Sequence, residues 1–366
     1  MSHSVLHDAL ARCVEERLTF AAFRVPGQPV QLWAQRSPEL ETVDGALLLE
    51  LNQVFLLAPF RLDAARIPFI RADIELAFVE IDPDISRLAE CTGTPAHAEP
   101  LPPPTAEAAY ASWIAAAHAA FASGELRKVV LSRTFGLPLA AADVPDLFVA
   151  MLQREPTAFV AMAFTPEQGL WVGASPEQLV HAEDDHVRVD ALAGTQPAGT
   201  APPTAGGWGA KERDEQELVT TRVMRTFVEL DLQRITTQGP SVRKAGPVAH
   251  LHTVLEADLG ERLLSELVLA LHPTPAVCGT PTDAAQQFIA QHETHDRGLY
   301  TGFWGPWNAD GPTDLFVNIR CMRIHGGSAE LHVGAGITAG SDPAAEWEET
   351  EHKADSWRQL LRTHTV

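Results

Sequence analysis

Two acidic pairs invite a chemical reading first. One is Glu212 with Glu215 in Glu212–Arg213–Asp214–Glu215, the other Glu346 with Glu349 in Glu346–Trp347–Glu348–Glu349. On a helix, the i, i+3 spacing projects both members of a pair from one face. Two such pairs turned toward each other offer hard carboxylate oxygens to one Mg²⁺, with water completing the shell. Each pair alone reads equally well as an acidic first turn that the helix dipole favours. Lys128, in Lys128–Val129–Val130–Leu131–Ser132–Arg133, shares a strand face with Val130 and Ser132. An apolar setting lowers a lysine's pKa and makes it a base; the plainer alternative is a lysine guarding a sheet edge. Glu177, in Gly173–Ala174–Ser175–Pro176–Glu177, follows a turn at a strand junction. A carboxyl buried there keeps its proton near neutrality and can act as an acid, against the default of an ordinary turn carboxylate.

Weaker signals surround these. Ala193–Gly194–Thr195 and Gly334–Ala335–Gly336–Ile337 read as glycine-rich turns whose N–H groups can hold an anion, with Arg320 and Lys353 as candidate partners. Neither is a GxGxxG between strand and helix, which excludes a dinucleotide fingerprint. His292–Glu293–Thr294–His295 places its histidines at i, i+3 rather than the i, i+4 of a zinc-protease helix, so catalytic zinc is not expected. His250 and His252 lie on one strand face and line either a pocket or a polar turn.

The elements that must position these groups follow from periodicity and punctuation. Residues 1–100 read as short apolar strand-like runs, such as Ala46–Leu57 and Ile67–Ile74. Five prolines between Pro95 and Pro104 mark an extended connector. Helices are expected over Thr105–Ser123 (stopped by Gly124), Val144–Arg154, Lys211–Ile235, Gly260–Leu271, Thr282–His292 and Pro343–Arg362. Strands are expected over Arg127–Phe135, Ala158–Phe164, Leu170–Ala174, Gln178–Ala182, His186–Leu192, Tyr300–Trp307, Leu315–Ile324 and Glu330–Val333, with Gly194–Gly209 as loop. Runs of strands, then helices, then strands predict an α+β fold with large antiparallel sheets.

Composition removes other classes. The 366 residues hold 27 Lys plus Arg against 48 Asp plus Glu, a formal net charge of −21. Nucleic-acid binding and attraction to anionic lipid both need a basic face. No segment approaches 18 uncharged apolar residues, and Met1–Arg12 lacks the basic and apolar regions of a signal peptide. Cys13, Cys91, Cys278 and Cys321 are widely spaced, as expected of free thiols in a cytoplasmic protein.

Taken in order, the pieces resemble the chorismate-binding enzymes, and among them the isochorismate synthases. The resemblance spans roughly Pro104–Leu361. It rests on KVVLSR (128–133), GASPE (173–177), ALAGT (191–195), KERDE (211–215) with LVT (218–220), HLHT (250–253), LHPTPAVCGTP (271–281), DRGLYTGFWG (296–305), NIRC (318–321), GAGI (334–337) and DPAAEWEETEHK (342–353). It implies one chorismate-utilising domain over 1–366, an α+β fold built as an α/β sandwich with large antiparallel sheets flanked by helices, like anthranilate synthase component I. Residues 1–103 would form an N-terminal sheet part and 104–361 the catalytic region. It implies Mg²⁺ and chorismate as ligands. Water would add at ring C2 while the C4 hydroxyl leaves, with Lys128 as general base and Glu177 as general acid. Glu215 and Glu349 would ligate the metal, supported by Glu212 and Glu346. Arg320, Tyr300 and Gly336 would meet the ring carboxylate, Lys353 with Gly194 and Thr195 the enolpyruvyl end, and His250 the ring. A monomer with no obligatory protein partner is implied. Lys128 stands where the anthranilate synthases resemble glutamine, although aminodeoxychorismate synthases also carry lysine there. Thr282 follows Pro281 where the salicylate and aminodeoxychorismate branches carry lysine. A salicylate synthase, an ammonia-using aminodeoxychorismate or anthranilate synthase subunit, and a catalytically silent chorismate-binding protein are the alternatives. Gln196 departs from the family pattern, and the first hundred residues match no motif.

Overall fold

The computed structural model describes residues 3–62, 66–95, 100–245 and 248–362. Part of the Pro-rich connector, 96–99, lies outside them; the flanking residues form neither helix nor strand. Among the described residues, eighteen strands form two nine-stranded sheets, and every strand pairing is antiparallel. The first sheet runs β14 (Gly279–Thr280), β7 (Lys128–Pro138), β18 (Ser328–Ile337), β17 (Cys321–His325), β9 (Gly169–Ser175), β8 (Phe159–Thr165), β1 (Phe20–Arg24), β2 (Val30–Ala34), β6 (Ile74–Phe78). The second runs β12 (Gln233–Ala245), β13 (Val248–Asp258), β11 (His186–Pro197), β10 (Gln178–Glu183), β16 (Thr313–Val317), β15 (Phe303–Trp307), β4 (Val54–Ala58), β5 (Arg66–Arg71), β3 (Glu41–Asp44).

Helices cover the outer faces. On the first sheet lie α1 (His3–Glu15), α2 (Glu107–Ser123), α3 (Val144–Arg154), α6 (Thr282–His292) and α7 (Pro343–Arg362). On the second lie α4 (Ala210–Glu229) and α5 (Leu264–Leu271). Between the sheets, Phe23, Trp33, Phe55, Phe159, Trp304 and Phe316 form an aromatic core, with Phe159 and Phe316 stacked at 4.2 Å. The result is the α/β sandwich that the family resemblance implies, in which each sheet buries one face on helices and one on its partner. None of the described helices is long and apolar enough to cross a membrane.

Two chain segments change sheets side by side. Pro176–Glu177 joins β9 of the first sheet to β10 of the second, and Asn318–Arg320 joins β16 of the second to β17 of the first. They are bonded to each other: Val317 N–H donates to Glu177 O at 3.0 Å, and Ala174 N–H to Arg320 O at 3.0 Å. The single strand expected over Leu315–Ile324 is therefore two strands in different sheets. Arg320 takes the bend in the left-handed region, φ 50°.

Other expectations also change. The helix expected to reach Ile235 ends at Glu229, because Asp231 and Arg234 take positive φ and the chain turns into β12. Gly260–Leu271 is helical only from Leu264. Ala46–Leu57 is a short 3₁₀ segment, Gly45–Glu50, capped by Asp44, followed by β4. Residues 3–15 are helical, with Leu6, Ala9, Leu10 and Cys13 buried on one face.

Candidate active site

Lys128 opens β7 on the face opposite Val129 and Leu131, which pack on the helices. It is 3% exposed. β7 is not a free edge here, because Gly279 and Thr280 of β14 pair with it. Gly336 of the adjoining β18 leaves the space the lysine occupies: a Cβ there would sit 3.1 Å from Lys128 Cε and 3.6 Å from Nζ. Burial lowers the lysine's pKa against the opposing pull of Glu215 and Glu177. An ammonium so placed gives up its proton more readily than one in water.

Glu177 sits on the crossover and is 4% exposed. Its N–H donates to Ser175 Oγ at 3.2 Å, and buried Thr274 lies against its carboxyl. Burial pushes its pKa up to about 8, although Lys128 pulls it down. Lys128 and Glu177 are thus a buried amine and a buried carboxyl that act on each other's charge, with pKa values moved toward each other. That is the disposition of an acid–base pair working near neutrality.

The start of α4 and the first turns of α7 bring carboxylates to the same place. Burial raises Glu215, despite Lys128 and Lys211 nearby. Burial also acts on Glu349, but Lys353 and Lys211 hold it below the ordinary range. Lys353 Nζ lies 2.8 Å from Glu349 Oε1 and donates to Gly334 O at 2.7 Å. Lys211 Nζ lies 3.5 Å from Glu346 Oε1, while Glu346 Oε2 is buried with no hydrogen-bond partner. Glu212 turns its carboxylate back on Gly209 at the helix start, where a Cβ would meet Oε2 at 2.5 Å. Among the described residues, no three carboxylate, imidazole or thiol groups converge closely enough to hold a metal ion. Glu346 and Glu349 thus each face a lysine, Lys211 and Lys353. The donors nevertheless fit a hard divalent cation: they are all carboxylate oxygens, and one is buried without a partner.

Arg320 and Lys353 provide the cationic end. Burial lowers the Arg320 pKa. His250 Nδ1 lies 3.2 Å from Thr195 Oγ1 and 3.3 Å from Gly194 O, and its Nε2 is buried with no hydrogen-bond partner. Burial, with Arg320 and Lys353 nearby, takes the His250 pKa down to about 3, so the ring is neutral. Buried Tyr300 stacks on His332 at 5.1 Å between ring centres and reaches Gly334, where a Cβ would meet its Oη at 2.9 Å.

The two glycine-rich segments are strand, not turn. Gly334–Ile337 pairs along β18 with Val129–Ser132, so its glycines act by lacking side chains beside Tyr300 and Lys128. Gly194 makes a bulge in β11, where the register shifts between Ala193 and Thr195. Its φ is +67°, and a Cβ would lie 2.8 Å from Glu212 O, so glycine lets α4 approach the strand. The strand runs on to Pro197, shortening the loop expected over Gly194–Gly209. Sequence reasoning assigned no role to Lys211 or Thr274. Lys211 adjoins the first acidic pair and had a usable signal; Thr274 had none, because only the fold brings it to Glu177.

The family described as chorismate binding enzyme matches residues 80–362. Isochorismate synthase DhbC of Bacillus subtilis is 32% identical over 285 residues, covering 74% of this chain and 70% of that protein. Isochorismate synthase MenF of Escherichia coli is 34% identical over 252 residues, 66% of this chain and 57% of that one. Anthranilate synthase component 1 of Streptomyces coelicolor is 33% identical over 265 residues, 70% of this chain and 52% of that one. The chain thus spans little more than half the length of two of these relatives. The solved structure of MenF superposes with a TM-score of 0.78 over 97% of this chain and 91% of that one, at 24% identity. With the family match covering well over half its length, the chain belongs to the chorismate binding enzymes.

Proposed function

We propose that the protein is an isochorismate synthase, a Mg²⁺-dependent isomerase that converts chorismate to isochorismate. The observation that carries this reading is the buried Lys128–Glu177 pair with its oppositely shifted pKa values. Lys128 takes a proton from the water that adds at ring C2. Glu177 gives its proton to the C4 hydroxyl, which leaves as water. The two transfers balance, and each group reverses its role in the back reaction. Arg320 and Tyr300 orient the ring carboxylate, Lys353 and Thr195 the enolpyruvyl end, and neutral His250 lies beside the ring without adding charge. Glu215 and Glu349, with Glu346 and Glu212 behind them, would hold Mg²⁺. When bound, that ion supplies positive charge to the substrate carboxylate.

We read the catalytic region as 104–361 within one domain, acting in the cytoplasm as a monomer. Identity does not separate the branches, since the anthranilate synthase relative is as similar as the isochorismate synthases. Lys128 favours water as nucleophile. Incubation with chorismate and Mg²⁺, followed by chromatography, tests the reading. Isochorismate alone is expected. Salicylate with pyruvate would transfer the assignment to salicylate synthase, and binding without turnover would make the protein a silent binder.

A further inference from the structure

Beside Lys128, on the same strand edge, lies a second buried charged unit that the proposed reaction does not use. Glu293 and Arg297 are joined by two hydrogen bonds, Arg297 Nη2 to Glu293 Oε1 at 2.6 Å and Nε to Oε2 at 2.8 Å. Both side chains are almost fully buried, 2% and 3% exposed. The pair occupies a particular gap. β14 covers the outer edge of β7 only at Lys128 and Val129. Beyond it, Val130 N–H donates to Cys278 O at 2.7 Å, after which no strand follows. Side chains take over: Arg297 Nη2 donates to Val130 O at 2.7 Å, and Glu293 Oε1 accepts from Ser132 N–H at 2.7 Å and Ser132 Oγ at 3.0 Å. A buried strand edge must have its backbone groups satisfied, and here one ion pair supplies both the donor and the acceptor.

The same guanidinium reaches two further elements. Its Nη1 donates to Val277 O at 3.0 Å, in the loop that places Thr274 against Glu177, and to Thr301 Oγ1 at 3.1 Å, next to Tyr300. Its plane lies 4.4 Å over the Phe60 ring. One planar, five-donor fork therefore touches the strand of the candidate base, the loop behind the candidate acid and the turn of the pocket tyrosine. A lysine's point charge cannot span these directions.

We propose that Arg297 and Glu293 are positioning residues that set Lys128, Glu177 and Tyr300 relative to one another. The proposal rests on Lys128 being the base. It also explains the His292–Glu293–Thr294–His295 segment: His292 Nδ1 is used on Phe288 O at 2.9 Å, His295 Nε2 lies 2.9 Å from Ser132 Oγ, and Glu293 serves the strand edge.

Arg297→Lys in the full chain tests it, because the charge opposite Glu293 is kept and the fork is lost. Two readouts are taken on protein that circular dichroism shows to be folded. The first is chorismate turnover with Mg²⁺: kcat is expected to fall on the order of 10–100-fold with KM nearly unchanged, the signature of misplaced catalytic groups. The second needs no turnover: the pH dependence of Lys128 modification by an amine-reactive reagent, read by peptide mass spectrometry. Its midpoint is expected to move upward and its rate at pH 8 to change several-fold as the lysine leaves its pocket. An unchanged Lys128 labelling profile overturns the proposal whatever happens to kcat, and so does a rise in KM at constant kcat. If Arg297→Lys does not fold, Glu293→Gln is judged by the same two criteria. If wild-type protein does not convert chorismate, the functional reading fails by itself and the labelling profile alone decides the positioning claim.

Discussion

Two buried carboxylates flank the crossover, and they are treated oppositely. Asp190 of β11 is held by Arg243 of β12 at 2.8 Å, His252 of β13 at 3.2 Å and Arg188 of its own strand at 3.4 Å. Burial alone would raise its pKa, but His252 and the two arginines bring it below the ordinary range. Glu177 has no such escort. Among the described residues the cation that acts on it is Lys128, whose own pKa burial lowers, and the Asp190 charge adds to the upward push. The first arrangement satisfies a charge and ties three strands together. The second leaves a proton poised. Satisfied buried charges are the rule in proteins, and departures from it concentrate where chemistry is done. Glu346, with one buried oxygen unmatched, belongs with Glu177 in this respect.

The largest effects should come from the poised side. Lys128→Ala is expected to lower turnover on the order of 10²–10⁴-fold, the usual worth of a general base, while chorismate still binds in an equilibrium titration. Near-normal turnover would remove the base from the scheme. Glu177→Gln should lose activity on a similar scale and gain stability. The folded pKa of about 8 lies above the 4.5 of an ordinary glutamate. Between those values the folded chain binds a proton that the unfolded chain releases, so stability falls as pH rises through the window. Melting curves should therefore show Glu177→Gln above wild type at pH 8 and level with it near pH 4. A variant less stable than wild type at pH 8 would mean that Glu177 is an ordinary paired carboxylate.

These groups were partly legible in the sequence because each is fixed by local chemistry. The i, i+3 glutamates lie at the starts of helices that the 3.6 period announces, and Lys128 and Glu177 lie on or beside apolar strands. The helix over Val144–Arg154 and the one over Pro343–Arg362 have the predicted bounds for the same reason. What stayed hidden is long-range. Nothing local says that Leu315–Ile324 leaves one sheet for the other at Arg320, since both halves are apolar and the break is set by tertiary pairing with Glu177 and Ala174. The hairpin of β12 and β13 escaped because its outer strand is exposed and polar, which blurs the alternation that marks a strand. Composition alone makes the glycines of β18 look like a turn, yet their role is close approach to side chains from distant segments. Arg297 could be seen in the sequence, but its bonds to Val130, Val277 and Thr301 could not.

An intermediate effect is expected at the metal. Glu349→Gln removes a charge that Lys353 and Lys211 stabilise. Apparent Mg²⁺ affinity, titrated by activity and by calorimetry, should weaken by at least the roughly 10–100-fold that loss of an outer-shell partner costs. An unchanged titration would place the metal away from α7 and leave the Lys353–Glu349 pair as a simple surface bridge.

The smallest effect on activity should come from the satisfied side, and it is the sharpest test of the contrast. Asp190→Asn leaves Arg188, Arg243 and His252 without their shared anion. Breaking a fully buried pair costs about 3–5 kcal/mol. Here Arg188 and Arg243 are 40% and 30% exposed, so water recovers part of that loss. Because the folded pKa of Asp190 is depressed, its contribution is present above the unfolded carboxylate value and is lost as pH falls through the folded one. The variant should thus be clearly destabilised at pH 7 and approach wild type in strong acid. Its turnover at pH 6 should be nearly normal, because Glu177 still holds its proton there. Only the alkaline side of the pH–rate profile should move, toward lower pH and by less than about one unit, as Glu177 loses a repelling neighbour. A collapse of turnover at pH 6 comparable to that of Glu177→Gln would make Asp190 part of the catalytic machinery and erase the distinction between the two carboxylates.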